Sequence, residues 1–321
     1  MSELVLRAKT LAEDLLFPTA SATDELAVLP RENLDALAQA GLYGAAAADD
    51  PAALFEVIET LAGACLTSTF VWLQHLGPSR LLASDARWGS RLASGDLRSG
   101  VAFAHLRRSG PPVIVATPSG DGWTISGKAP WVTGWSRIDL VHLAAMRADD
   151  PSQIVWFVVD ATACATMLPQ RLDLVAVNAS STVELTLREH RVSSDRVAGT
   201  EPLETWKVRD AAGLRTNGSV ALGHAARTIA LLGAEAGKLG DQLTRCRDSL
   251  NTAPDPTSVA SARAEATALA LHAATAFVAR NGGSSIVKGQ LAQRLAREAM
   301  FLLVQGQTPA IRAAQVALLT R

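Results

Sequence analysis

Residues 122–135, Gly-Trp-Thr-Ile-Ser-Gly-Lys-Ala-Pro-Trp-Val-Thr-Gly-Trp, are the stretch that decides the fold of this chain. They predict a strand, a turn at Ser126-Gly127, and a second strand that ends in Trp131 and Trp135. Long segments rich in alanine and leucine lie on both sides of this stretch. A compact β segment with aromatic and hydroxyl side chains, framed by helices, favours a flat ligand held at a domain junction.

The spacing of apolar residues divides the rest of the chain into three predicted domains. Residues 1–99 and 205–321 show helical spacing, whereas residues 100–204 change to a period of two, typical of strands. The sequence therefore predicts an α+β fold with an N-terminal helical domain, a middle antiparallel β domain of six or seven strands, and a C-terminal helical bundle. The predicted strands include residues 113–117, 123–125, 140–144, 154–159 and 181–187. The predicted C-terminal helices cover about residues 211–232, 235–250, 257–281, 288–305 and 308–320.

Composition and charge exclude several classes of protein. The chain has 321 residues and a net charge of −1, so nothing in its charge favours a nucleic acid partner. Cys65, Cys164 and Cys246 lack metal-ligand spacing, and we interpret them as buried thiols in a reducing cytoplasm. The N-terminus lacks signal-peptide features and no apolar run reaches about 18 residues, so we expect neither export nor a membrane span.

The stretch 122–135 resembles the middle-domain signature of the acyl-CoA dehydrogenase family, a Gly-aromatic-x-Leu-x-Gly-x-Lys segment followed by aromatic-Ile/Val-Thr/Ser. Residues 183–197 resemble the closing strand and loop of that domain, and residues 294–299 resemble the late Glu-Arg-x-x-Arg-Asp-Ala helix. The order of helices, β domain and helical bundle also matches. The resemblance implies an oxidoreductase of lipid metabolism that uses FAD on an acyl thioester, as a homodimer or homotetramer.

The resemblance also assigns roles to individual residues. It implies that Trp131 lies against the flavin ring and that Thr133 donates a hydrogen bond to that ring. Further cofactor-binding candidates are Phe103, His105, Gly282 and Gly283, with the glycines near the adenine side of FAD in a partner subunit. Substrate-binding candidates are His75 in the acyl pocket and, for a phosphate or CoA, Arg107 and Arg108. For each candidate, a structural role in the core, a turn or a solvated surface is the alternative.

The carboxylate base of the family is missing from both positions where the resemblance would place it. The first falls in residues 304–308, Val-Gln-Gly-Gln-Thr, and glutamine takes no proton at neutral pH. The second falls in residues 211–217, which contain no carboxylate, and we interpret Asp210 just upstream as a helix N-cap. The catalytic residue is therefore unknown, and His105 is a candidate base because imidazole titrates near neutral pH.

Two further segments depart from the family pattern. Residues 104–112 carry His105 and a basic pair where the family has a carboxylate-bearing loop, and the Phe-Gly segment of the C-terminal bundle has no counterpart. We therefore expect a flavoprotein that does not use the usual Glu base, for example a monooxygenase variant. The alternatives are a degenerate subunit that works with a longer partner of the same family, and a flavin-free structural or binding homologue.

Overall fold

A computed structural model describes residues 2–47, 50–108 and 110–320. Its first part is helical, and polar residues cap two of its helices: Ser2 accepts from the Val5 amide at 3.3 Å and Asp50 accepts from the Ala53 amide at 2.9 Å. A π-helical turn continues the first helix directly into the second. The helices are α1 (Glu3–Leu11), α2 (Phe17–Leu26), α3 (Arg31–Gln39), α4 (Pro51–Ala64), α5 (Leu66–Leu81) and α6 (Gly89–Ser94).

The middle of the chain forms one eight-stranded sheet. The strands are β1 (Ser99–Ala102), β2 (Ile114–Ser119), β3 (Gly122–Val132), β4 (Leu140–Arg147), β5 (Gln153–Asp160), β6 (Met167–Arg171), β7 (Val183–Ser193) and β8 (Val197–Pro202). Their order is β6-β7-β3-β2-β4-β5-β8, with β1 beside β4. The predicted α+β class is confirmed, but the sheet is mixed rather than antiparallel. After the β2–β3 hairpin the chain returns to the far side of β2, so β4 runs parallel to both β2 and β1.

The predicted turn at Ser126-Gly127 is a bulge inside one continuous strand. The pairing of β3 with β7 shifts register between Ile125 and Gly127, and Gly127 has a φ of 135°. A Cβ atom at this position would lie 2.1 Å from the Val113 carbonyl oxygen, so only glycine fits. The true hairpin turn is at residues 120–121, between β2 and β3.

Helices form the last part of the chain. They are α7 (Leu203–Leu232), α8 (Leu239–Thr252), α9 (Pro256–Asn281), α10 (Leu291–Val304) and α11 (Pro309–Leu319). Leu61 of α4, Leu222 of α7 and Leu269 of α9 belong to one apolar core, so the two helical parts share it. A Cβ atom at Gly223 would lie 2.1 Å from the Glu59 carbonyl oxygen, which shows how closely α4 and α7 pack.

Three predictions made for the whole chain concern the cysteines, the domain boundaries and membrane spans. Cys65 and Cys246 are buried as expected, but Cys164 is exposed, because it lies at the end of the sheet just before β6. The domain boundaries after residues 99 and 204 stay predictions, although the secondary structure changes close to both. Over the ranges that the structure describes, none of the helices combines the length and apolar character needed to cross a membrane.

Candidate active site

A cavity of about 820 Å³ lies where the end of β3 faces the helices. Its walls come from α5, from the segment after β1, from the end of β3, from α7, and from the turn that joins α10 to α11. A cavity of this volume is large enough for a drug-sized or cofactor-sized ligand. Both the sheet and the shared helical core thus contribute to one concave site.

The sheet wall of the cavity carries the two residues that the sequence singled out first. Trp131 lines the cavity near the end of β3 and is 47% exposed. Thr133 also lines the cavity but is buried, and its Oγ1 lies 3.1 Å from the Thr182 Oγ1. The Thr182 hydroxyl also lies 2.8 Å from the Ser180 hydroxyl. Because hydroxyls both donate and accept, Thr133 can accept from Thr182 and donate its own hydrogen into the cavity.

The segment after β1 brings Phe103, Arg107 and Arg108 to the cavity. The Phe103 ring lies edge-on to Trp206, with centroids 5.9 Å apart, and the Arg107 guanidinium lies 5.4 Å from the Phe103 centroid. Arg107 is bound to Asp210 through two hydrogen bonds of 2.7 Å. Most of the Arg107 charge is therefore already matched within the protein.

The N-cap interpretation of Asp210 is wrong. Helix α7 begins at Leu203, so Asp210 lies within the helix, where its carboxylate faces Arg107 of the sheet segment. Both side chains are mostly buried, with 16% of Arg107 and 13% of Asp210 exposed. A bidentate pair of this kind fixes the orientation of both groups and ties α7 to the edge of the cavity.

Two other arginines at the cavity have no such partner. Arg108 and Arg312 are exposed cavity-lining residues, and the side chain of neither makes an ion pair or hydrogen bond within the described part of the chain. They belong to different elements, the segment after β1 and helix α11. Guanidinium groups match carboxylate and phosphate oxygens in geometry and charge, so this side of the cavity is suited to an anionic group.

The helical wall carries side-chain amides where the resemblance would place a carboxylate. Gln305 and Asn217 both line the cavity, and the Gln305 Nε2 donates to the Asn217 Oδ1 at 3.1 Å. Beneath them, the buried Arg263 of α9 donates to the Gln305 carbonyl oxygen at 3.0 Å and reaches the Gly306 carbonyl oxygen at 3.5 Å. Arg263 thereby provides donors to the carbonyls that follow the C-terminal end of α10.

Sequence reasoning missed Arg263 and most of the helical wall. Arg263 lies in an alanine-rich helix with no local pattern that would mark it, and burial lowers its pKa to about 10, with the Arg107 charge as a second cause. Phe70, Leu73 and Gln74 of α5 also line the cavity. Their apolar or amide character reads as core or surface from sequence alone. On this wall the sequence indicated only Gln305 and Gln307, because they lie where the resemblance would place the missing base.

The remaining sequence candidates lie outside the cavity lining. His75 is buried between α5 and the sheet, where its Nε2 lies 2.9 Å from the Leu92 carbonyl oxygen and its Nδ1 accepts from the Ser99 amide at 3.0 Å. Both ring nitrogens of His75 are thus used in the core. Gly282 and Gly283 form the exposed turn after α9 and do not line the cavity. Their contact with a flavin of a partner subunit stays a prediction.

His105 is adjacent to the cavity segment but does not face the cavity. It is 3% exposed, and within the described part of the chain neither ring nitrogen makes a hydrogen bond of ordinary geometry. Burial lowers the pKa of His105 to about 4, and the nearby Ala144 carbonyl acts in the opposite direction. Its place outside the cavity lining gives no support to His105 as a base, and that role stays a prediction.

The cavity can bind a ligand but holds no obvious proton acceptor. Among the residues that the structure describes, none of those lining the cavity carries a carboxylate, an imidazole, a thiol or an amine. The nearby Glu298 of α10 lies outside the lining, buried 3.4 Å from Arg294 and 3.7 Å from His224. Within the described ranges no cluster of three or more His, Cys, Asp or Glu side chains could hold a metal ion.

Comparison with known proteins relates this architecture to that of several solved structures. No protein-family model and no curated protein matches the sequence. Butyryl-CoA dehydrogenase from Megasphaera elsdenii matches with a TM-score of 0.82 and 17% identity, over 99% of this chain and 97% of that chain. The glutaryl-coenzyme A dehydrogenase complex with glutaryl-CoA matches with a TM-score of 0.82 and 16% identity, over 98% and 93%.

A third match carries a different activity in its name. Dibenzothiophene monooxygenase from a Paenibacillus species has a TM-score of 0.78 and 16% identity, over 97% of this chain and 94% of that chain. At such low identity these likenesses establish the fold and not the activity. The chain has the acyl-CoA dehydrogenase fold, as its sequence predicted, and the matches span nearly all of both chains.

Proposed function

We propose that this chain is a flavin-dependent oxidoreductase that binds FAD in the 820 Å³ cavity and acts on an acyl thioester or a related substrate. The observation that carries the proposal is one cavity, in the acyl-CoA dehydrogenase fold, with Trp131 and Thr133 on one wall and the Gln305 amide on another. An aromatic ring, a hydroxyl donor and neutral amides are suited to a flat heteroaromatic ring.

The groups present fit FAD in both shape and charge. The indole of Trp131 offers a partly exposed aromatic surface, and the Thr133 hydroxyl offers a donor held in place by Thr182. The free guanidinium groups of Arg108 and Arg312 suit phosphate oxygens of the cofactor or of a CoA thioester. When bound, FAD supplies two-electron redox chemistry. The protein would orient the substrate and keep water away from it.

The chemistry differs from that of an ordinary dehydrogenation because the described residues that line the cavity include no base. Removing the α-proton of an acyl thioester requires an acceptor, and the Gln305 amide is not one at neutral pH. The solved structures that match this chain include a monooxygenase as well as dehydrogenases, so the fold accommodates both kinds of activity. We infer that monooxygenation suits this cavity better than α,β-dehydrogenation.

A second candidate function rests on the same missing carboxylate. In it, the chain is one subunit of a heteromer, and a longer partner of the same fold provides the base. A homodimer or homotetramer is expected under the first proposal. Purification at native abundance separates the two, because the heteromer yields a second, longer chain in fixed ratio, and the homo-oligomer yields this chain alone.

Titration of the purified protein with FAD, followed by flavin absorbance and fluorescence, tests the proposal. We expect saturable binding that weakens about tenfold in Trp131→Ala, since an aromatic contact contributes about 0.5–1.5 kcal/mol beyond its buried area. The matched control is Trp135→Ala, a half-buried tryptophan outside this cavity, which should leave FAD affinity unchanged. Thr133→Val should also weaken binding, whereas Thr117→Val on the exposed face of β2 should not.

The outcome that would overturn the proposal is clear for each part of it. A protein that binds no FAD, even with FAD in excess, is not a flavoenzyme on its own. Stoichiometric anaerobic reduction of bound FAD by butyryl-CoA in this chain alone would contradict the argument from the missing base. Slow or absent reduction by that thioester, with reoxidation by oxygen after chemical reduction, would support it.

A further inference from the structure

A chain of three side-chain hydrogen bonds runs beneath the cavity from the α10–α11 turn to helix α9. The Gln307 Nε2 donates to the Leu303 carbonyl oxygen at 3.0 Å and to the Gln315 Oε1 at 2.9 Å. The Gln315 Nε2 in turn donates to the Thr267 Oγ1 at 3.1 Å. Gln307 is the one member of this relay that lines the cavity.

The direction of the relay is determined at both of its ends. The Leu303 carbonyl can only accept, so the Gln307 atom beside it must be the amide nitrogen, and Gln315 must then face that nitrogen with its oxygen. At the other end, the single hydroxyl hydrogen of Thr267 goes to backbone carbonyls of its own helix, at 3.0–3.1 Å. The Thr267 oxygen is therefore an acceptor for Gln315. Both amide orientations follow from groups that cannot change roles.

Burial makes this orientation costly to reverse. Thr267 is 0% exposed and Gln315 is 4% exposed, so a reversed amide would leave buried polar groups without partners. Gln307 is only half-buried, and both of its N–H groups are used within the relay. Its Oε1 makes no hydrogen bond in the described part of the chain. The relay thus leaves Gln307 with a free acceptor and no free donor.

We infer that Gln307 determines specificity by accepting a hydrogen bond from an O–H or N–H group of the ligand, and that Thr267 and Gln315 are positioning residues that hold it in this orientation. The inference rests on the proposed function, since it assumes that the ligand occupies the same cavity. Two sources could provide the donor: the ring N3–H of FAD, or a hydroxyl or amide of the substrate. A carbonyl or ether at that point of the ligand would be disfavoured, because two acceptors would meet.

Two pairs of probes that differ by a single donor test the inference. One pair is FAD and N3-methyl-FAD, and the other is 3-hydroxybutyryl-CoA and butyryl-CoA. In the wild-type protein we expect the donor-bearing probe of one pair to bind with about fivefold higher affinity than the probe without the donor. This ratio corresponds to the free energy of one neutral hydrogen bond. The pair that shows this preference identifies the source of the donor.

Substitutions then assign the preference to the relay. Gln307→Leu should abolish the preference, and Thr267→Val should reduce it, whereas Thr267→Ser keeps the hydroxyl and should retain it. The matched control is Thr228→Val, which removes an equally buried threonine hydroxyl that, within the described residues, bonds only to the His224 carbonyl. A merely structural effect would weaken both members of a probe pair equally and leave the ratio unchanged.

A readout without ligand distinguishes failure of the relay from failure of the proposed function. With ¹⁵N-labelled glutamine, the side-chain amide protons of Gln307 and Gln315 should exchange slowly with solvent, and Thr267→Val should speed exchange at Gln315. Fast exchange of both amides in the wild type would overturn the relay. A ratio near one for both wild-type pairs, or an unchanged ratio in Gln307→Leu, would overturn the ligand role. If no probe binds, the proposed function fails and the ligand role fails with it, while the exchange experiment still judges the relay.

Discussion

Lowering the pH from about 7.5 to about 5.5 is expected to destabilise this protein strongly, because four of its six histidines are buried. Burial is the first cause in each case and lowers the pKa of all four to about 4, from a usual value of 6.5. These histidines are His75, His105, His142 and His224. Between pH 6.5 and 4 the folded chain therefore binds fewer protons than the unfolded chain, and the free energy of unfolding falls as the pH drops.

The magnitude follows from proton linkage. A histidine with these two pKa values loses about 1.4 kcal/mol of stabilisation between pH 7.5 and 5.5, so four lose about 5 kcal/mol together. Glu59 and Glu298 act in the opposite direction, since burial raises their pKa values and their protonation at low pH favours the folded chain. Against a typical total stability of about 5–15 kcal/mol, the histidine contribution is large enough to unfold the protein near pH 5.

His142 isolates the effect of one residue. Its ring stacks on Trp156 with centroids 4.6 Å apart and makes no side-chain hydrogen bond in the described part of the chain. Phenylalanine keeps the stacked ring and removes the titrating group. Urea unfolding of His142→Phe at both pH values should therefore show a pH-dependent loss that is smaller than that of the wild type by about 1.4 kcal/mol.

The neighbouring residue provides the control for this experiment. Val141→Ala removes buried apolar volume from the same strand and should lower the free energy of unfolding equally at both pH values. If the wild type lost less than about 1 kcal/mol over this pH range, or if His142→Phe left the loss unchanged, burial would not be the cause that we assign.

Three further predictions concern the cavity and the strand beside it. Asp210→Asn should destabilise the fold by about 2 kcal/mol, because it leaves the mostly buried Arg107 charge without its anion. Gly127→Ala should destabilise it by about 3 kcal/mol or more in urea unfolding, because the new methyl group would overlap the Val113 carbonyl and φ is positive. Arg263→Met should change the free energy of unfolding by less than about 2 kcal/mol, because the loss of its hydrogen bonds is offset by the removal of a buried positive charge. The same variant should weaken FAD binding about tenfold, because the α10–α11 turn loses its support.

Two control variants separate the effects of burial and steric overlap from the general effect of the substitution. Asp149→Asn removes the partner of Arg147 at an exposed site and should change stability by less than about 0.5 kcal/mol. Gly120→Ala has positive φ but open space around it, so it should cost only about 1 kcal/mol. Equal losses of stability for Asp149→Asn and Asp210→Asn would show that burial of the Arg107–Asp210 pair is unimportant for its effect on stability. Equal losses for the two glycine variants would refute the steric argument at Gly127.

The local sequence pattern predicted secondary-structure elements well where a long segment keeps a single side-chain period. The strands β4 and β5 and the long helix α9 overlap their predicted ranges closely, since each carries an uninterrupted period. The short strands β1, β6 and β8 were not predicted, because each contains glycine or proline and has no run of β-branched residues like that of β2. The Ser126-Gly127 pair shows a second limit: the same dipeptide suits a turn or a bulge, and only the neighbouring strands decide between them.

Sequence reasoning indicated part of the cavity lining. The cofactor and substrate contacts of Phe103, Trp131, Thr133, Arg107 and Arg108 stay predictions, but all five residues line the cavity. The histidine candidates do not, because their rings turn towards the core. A histidine next to a site segment has the same sequence signal whichever way its ring points.

The sequence by itself determined the succession of helices, sheet and helices, the aromatic and hydroxyl stretch of β3, and the absence of a carboxylate where a base would be expected. Only the tertiary structure decided that Asp210 neutralises Arg107, that Arg263 supports the turn carrying Gln305, and that Thr267 orients Gln307 through Gln315. The physical reason is distance along the chain. Periodicity and caps are properties of neighbouring residues, whereas Arg107 and Asp210 are 103 positions apart and Arg263 and Gln305 are 42 apart, so their pairing depends on how the elements pack.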